Sequence, residues 1–187
     1  MTVTTTTPND RLTGEYNLDL SHSRIGFSAR HAMVTKVRGS FKEFEGTARL
    51  DAIDPSQSTV QVVIKAASID TGNADRDNHL RSNDFFDMET HPEILFASTS
   101  VEDLGDRSYR VTGDLSIKGV TKPVAIDFEY TGNAVDPYNN VRVGLEGSVT
   151  VNRKDWGITW NAPLEAGGIL VSEKVTLEFD ISAVKTA

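Results

Sequence analysis

Four histidines, His22, His31, His79 and His91, are the side chains best suited to moving a proton or holding a metal, and they are scattered along the chain. No HExxH spacing joins any two of them, and there is no cysteine to complete a zinc site. A turn or strand-start role suits His22 and His91 better than ligation. Only three histidines assembled by the fold would make a centre, so no metal is assigned. Asp19, Ser21 and His22 are the side-chain types of a serine hydrolase, but neighbours on a strand point to opposite faces, so adjacency alone does not build a triad. The chain also lacks a GxSxG elbow, a phosphate-binding GxxxxGKS loop and a GxGxxG turn. No catalytic residue and no cofactor is assigned, and the expectation is a protein that is not an enzyme.

The densest polar run is Ala74-Asp75-Arg76-Asp77-Asn78-His79-Leu80-Arg81, where Asn73 or Asp75 can accept backbone N–H bonds at the start of a short helix. Arg76, Asp77 and His79 could recognise a polar head group or gate a cavity. The plainer alternative, an Arg–Asp pair and a cap that fix a long connection, needs the same residue types and is the preferred reading. Trp156 and Trp160 offer large apolar faces with one polar edge, suited equally to a cavity mouth and to core packing. Phe85 and Phe86 read as anchors for the helical connection.

The elements that position these residues are strands. Tyr109, Val111, Leu115 and Ile117 alternate with Arg110, Thr112, Asp114 and Ser116, and Val124, Ile126, Phe128 and Tyr130 alternate with Ala125, Asp127 and Glu129. A period of two is that of a strand with one wet face. The same reading gives strands at 15–18, 24–31, 37–51, 60–66, 93–101, 141–152 and 175–181, eight or nine in all, joined by Gly/Asn/Asp/Pro turns. Connections 68–92 and 153–170 are longer than hairpins need, which marks them as functional or disordered. A sheet of this kind hides its apolar face by packing as a sandwich or by closing into a barrel, and a barrel of about eight strands holds one small ligand.

With 187 residues, 38% of them hydrophobic, the chain suffices for one core, expected over residues 13–187 behind a flexible Thr-rich tail at 1–12. The net charge of −8 opposes attraction to nucleic acid and to anionic membrane surfaces. No window approaches the roughly 18–20 apolar residues of a spanning helix. The start of the chain has neither a basic nor an apolar stretch, and with cysteine absent the expected location is cytoplasmic.

Longer motifs narrow this further. Arg76-Asp77-Asn78-His79-Leu80-Arg81-Ser82-Asn83-Asp84-Phe85-Phe86-Asp87 closely resembles the signature of the YceI-like family. Ser21-His22-Ser23 with Ile25, Phe27, Arg30 and His31 resembles the family's opening strands, and His91-Pro92-Glu93-Ile94 its middle. Gly113-Asp114-Leu115-Ser116-Ile117-Lys118-Gly119 resembles its central hairpin, and Asn152-Arg153-Lys154-Asp155-Trp156-Gly157 its last long connection. The resemblance implies an all-β, lipocalin-like, extended antiparallel β-barrel. It also implies a homodimer and a hydrophobic small-molecule partner: a polyisoprenoid, an isoprenoid quinone or a prenyl pyrophosphate. Many family members are periplasmic and start with a signal peptide, which the beginning of this chain does not resemble. On this reading Ile25, Phe27, Val62, Ile64, Phe96, Leu115, Phe128, Leu145 and Leu177 line the cavity around the tail. Arg30, His31, Arg76, Asp77, His79 and Trp156 meet the head group. The alternatives are a lipid-modifying enzyme with His31 or His79 as acid–base group, and a scaffold whose interior is filled by its own side chains.

Overall fold

Alternation dictates strands over most of the chain, and where it falters the strands break. The computed structural model describes residues 10–165 and 167–187, so most of the expected tail lies outside the described residues; Asp10–Leu12 form one 3-10 turn. The elements are β1 (Gly14–Leu18), β2 (Arg24–His31), β3 (Thr35–Phe41), β4 (Phe44–Leu50), β5 (Thr59–Lys65), β6 (Ile69–Asp70), α1 (Ala74–Arg81), β7 (Glu93–Gly105), β8 (Ser108–Ile117), β9 (Val120–Val135), β10 (Val141–Asn152) and β11 (Lys174–Lys185). All pairings are antiparallel, in the order β1-β4-β5-β7-β8-β9-β10-β11, and β11 returns to β1 through Tyr16↔Lys185 and Leu18↔Ala183. The result is a closed eight-stranded antiparallel barrel, which leaves no edge along the ring.

The remaining three segments extend strands of the ring: β2 continues β1, β3 leads into β4, and β6 follows β5. The single strand expected over 37–51 is therefore two, interrupted at Lys42 and Glu43. At the first break, Asp19 to Ser23 oppose only Ile181 and Ser182 of β11, between the pairs Leu18↔Ala183 and Arg24↔Asp180. Extra residues on one side of a ladder bend the strand. Here they coil into a 3-10 turn, Leu20–His22, capped by the Asp19 carboxylate, which accepts from Ser21 N.

Arg142 ties this kink to the β9–β10 connection, donating from one end of its guanidinium to Asp19 and from Nε to Asp136 Oδ2 at 2.8 Å. Backbone N–H donation from Asn140, then Arg142, lowers the Asp136 carboxyl to about 2, and the Arg142 guanidinium holds Asp19 well below the usual carboxylate range. A carboxylate with a depressed folded-state pKa stabilises the fold above its unfolded value, near 4, and that stabilisation is lost as pH falls through the folded value. The thermal midpoint of the wild-type protein is therefore expected to drop steeply between about pH 4 and pH 2, and that of Arg142→Gln less steeply. Equal slopes by circular dichroism would place the acid sensitivity elsewhere.

Candidate functional site

Inward side chains of a filled sandwich or plugged barrel pack against one another and lose nearly all exposure. Here Phe27, Val62, Phe96, Phe128, Leu145 and Leu177 all face inward and stay only half buried, because they border a cavity of about 390 Å³ along the barrel interior. That size falls among small-molecule sites. Its lining runs from Leu12, Leu50 and Pro55 at one end to Leu80, Phe85, Ile158 and Val171 at the other. The nine residues assigned to the tail from the sequence (Ile25, Phe27, Val62, Ile64, Phe96, Leu115, Phe128, Leu145 and Leu177) all line it. The interior is thus not filled by its own side chains.

Glycines keep the bore open. A Cβ on Gly39 would stand 2.5 Å from the Phe27 ring, one on Gly113 2.4 Å from Phe96, and one on Gly147 2.7 Å from Phe128. Each ring therefore packs closely on the bare backbone of a neighbouring strand, where a methyl group would not fit.

The end bearing α1 is covered by two long connections. Asn73 Oδ1 caps α1 by accepting from Arg76 N at 3.0 Å. Asp77, 7% exposed, accepts from Thr71 N at 2.9 Å and from Thr71 Oγ1. Arg76 donates from Nε to Thr71 Oγ1 at 2.7 Å and from its terminal nitrogen to Thr71 O at 2.8 Å. The two charges are spent on one threonine as a loop anchor, and neither lines the cavity. His79 Nε2 lies 2.8 Å from Asp84 Oδ2, with its ring edge-on to Phe85 and Trp160 at 5.0 and 4.5 Å. Arg30 and His31 are exposed at the end of β2. Of the six head-group candidates, only Trp156 borders the cavity; it is 3% exposed and donates from Nε1 to Leu115 O at 2.9 Å. Phe85 and Phe86 both anchor and line: Phe86 packs edge-on against Phe41 at 5.9 Å.

The hydrolase-like trio does meet, because Asp19, Ser21 and His22 sit around a 3-10 turn and not along a strand. Ser21 Oγ donates to Asp19 Oδ1 at 2.7 Å, and His22 Nδ1 is 2.7 Å from Asp19 Oδ2 and 3.1 Å from Ser21 Oγ. A proton relay needs the carboxylate and the hydroxyl on opposite imidazole nitrogens. Here both share Nδ1, on the outer surface, and none of the three lines the cavity. Among the described residues, no three His, Cys, Asp or Glu side chains are grouped to hold a metal, and no helix is long and apolar enough to cross a membrane.

Against this geometry, comparison with known proteins is decisive on kinship: the model of the YceI-like domain matches residues 16–183. The chain belongs to the YceI-like family. The UPF0312 protein plu2095 of Photorhabdus laumondii is 42% identical to the YceI-like chain over 147 residues, 78% of this chain and 76% of that protein. The crystal structure of Burkholderia cenocepacia BcnA superposes with a TM-score of 0.78 at 24% identity, covering 88% of this chain and 98% of that one. A polyisoprenoid binding domain from Saccharophagus degradans, implicated in plant cell wall breakdown, superposes at 0.67 with 15% identity, covering 91% and 98%. At those identities the two structures share the barrel fold with the YceI-like chain.

One buried charge of the YceI-like barrel has no sequence-based assignment. Arg153, 6% exposed, lines the cavity beside Trp156. It donates from Nε to Ser172 O at 2.9 Å and from its two terminal nitrogens to Ile158 O at 2.8 Å and Val171 O at 3.3 Å. Burial pulls its pKa below the ordinary arginine value, against the opposing field of Glu173. A single arginine at a strand end carries no local mark of burial. Its one signal is its place next to Asn152, whose side chain starts the 3-10 turn by accepting from Lys154 N. Tyr109 and Tyr130 also line the cavity, at phases of their strands that read as apolar.

Proposed function

We propose that this protein binds and carries or sequesters one long-chain apolar amphiphile of the polyisoprenoid class inside the barrel. One observation carries the reading: a continuous lining of inward Leu, Ile, Val and Phe side chains that remain half exposed to empty space. Each methylene moved from water onto such a wall gains about 0.8 kcal/mol before ordering costs, so affinity should rise with chain length. Arg153 supplies the polar end. A guanidinium has five N–H donors, and the three hydrogen bonds to carbonyls leave two for an acidic or carbonyl-bearing head group. Binding is favoured over turnover because His31 and His79, the acid–base candidates, do not border the cavity. The Saccharophagus degradans domain, named for polyisoprenoid binding, shares the barrel and supports the ligand class.

Native mass spectrometry and organic extraction of protein purified without detergent should reveal a bound apolar molecule, released chemically unchanged. A prenyl alcohol series should then bind more tightly with each added unit. Protein that is free of such a molecule and takes up no member of the series would overturn the proposal.

A further inference from the structure

The net charge of −8 is unevenly placed. From Leu20 to Lys42 there is no Asp or Glu, but five basic residues: Arg24, Arg30, Lys36, Arg38 and Lys42. The rest of the chain, with fourteen basic residues against 27 acidic ones, carries −13. The basic run is the β2–β3 hairpin. Arg24 is paired with Glu178 at 3.0 Å, whereas Arg30, Lys36 and Arg38 have no carboxylate partner among the described residues. Arg30 and Lys36 stand directly opposite each other in the ladder, with Arg38 opposite Ser28 on the same outward face. Like charges placed so repel, and no ion pair offsets them among the described residues.

The tip of the same hairpin is apolar. Met33 is 66% and Val34 76% exposed, and Ala32 and Met33 hold φ of 51° and 61°, a left-handed turn that non-glycine residues rarely adopt. Residues 35–39 of β3 pair with β2 alone, so this part of the hairpin projects beyond the ring. The cavity reaches it: Phe27 and Ala29 of β2 line the bore, as does Val171, whose backbone bridges to His31.

We infer that this hairpin docks the barrel onto an anionic phospholipid bilayer, with Met33 and Val34 dipping into the headgroup layer and Arg30, Lys36 and Arg38 against lipid phosphates. A stable protein interface takes about twenty residues or more a side around an apolar centre, and two exposed apolar side chains are too few to form that centre. They suffice for shallow interfacial insertion when cations surround them, each cation near an anionic surface adding about fivefold to partitioning. The docked hairpin brings one end of the apolar bore to the lipid surface.

The test is sedimentation of the full chain with phosphatidylcholine vesicles, with and without about 30 mol% phosphatidylglycerol, at about 20 mM and about 500 mM salt, conditions that bracket weak and strong screening. The expected result is binding to the anionic vesicles only, lost at high salt. Lys36→Glu with Arg38→Glu should weaken it at least about tenfold, and Met33→Ser with Val34→Ser, at exposed positions, should weaken it without altering the circular dichroism. Arg49→Glu, which makes the same kind of charge change on exposed β4, should leave it unchanged. Equal binding to both vesicle types, no binding at all, or equal loss in Arg49→Glu would overturn the inference. So would serine variants that bind vesicles normally but dissociate a dimer, which would assign the tip to a second copy of the chain. Because the readout is protein on vesicles, its failure leaves the cavity reading standing, and an empty cavity leaves the docking standing.

Discussion

Val62→Trp combined with Leu145→Trp is expected to yield a folded barrel that no longer retains an apolar ligand. The two positions lie on β5 and β10, four places apart in a ring of eight, so they border the bore from opposite walls. Two indoles there shorten the space open to a tail. Excluding about four methylenes costs roughly 3 kcal/mol, or about a hundredfold in affinity. Loss of the bound mass in native spectra, with the strand signal in circular dichroism retained, is the expected pair of results. A double variant that keeps the same ligand with the same affinity would move the binding site out of the barrel.

Replacing Arg153 should produce the largest loss of stability. Arg153→Met keeps much of the side-chain volume but strips donors from the carbonyls of Ile158, Val171 and Ser172, the points that hold the two ends of the connection after β10 at the end of the barrel. Unsatisfied buried acceptors cost about 1–3 kcal/mol each before relaxation and water entry, so a net loss of about 3 kcal/mol and a Tm lower by roughly 6–12 °C are expected. Hydrogen exchange should rise first in residues 157–172. Arg153→Lys should recover little, because an ammonium cannot span three carbonyls as a planar fork does. A Tm within a degree of wild type would mean that the connection is held by something else.

Period-two alternation made the strands and their inward faces legible, and with them nine of the residues that border the cavity, because facing in or out is set by parity alone. The break at Asp19 to Ser23 was legible, since separate strands were expected at 15–18 and 24–31, but the kink it makes is seen only in the partner's shorter count across the ladder. The break at Lys42-Glu43 was hidden inside one expected strand over 37–51. The polar cluster Arg76, Asp77 and His79 was visible as a cluster but not in its aim. Three partners, Thr71, Asp84 and the ring of Trp160, fix where it points, and all three are loop residues with no periodic signature. Arg153 escaped for the opposite reason, since its partners are main-chain carbonyls, which any sequence supplies. The basic hairpin was masked by averaging: a net charge describes the whole chain and says nothing of where the signs lie.

The ring is closed by its first and last members. Glu15 N donates to Ala187 O at 2.9 Å and Thr186 N to Glu15 O at 2.7 Å, alongside the β1–β11 pairing. During synthesis β1 leaves the ribosome long before β11, its second neighbour, exists, and until β11 is made the ring cannot close and its apolar face has no complete enclosure. Such a topology postpones its most distant contacts to the final step, which makes folding slow and leaves the nascent chain in need of protection until the last strand emerges.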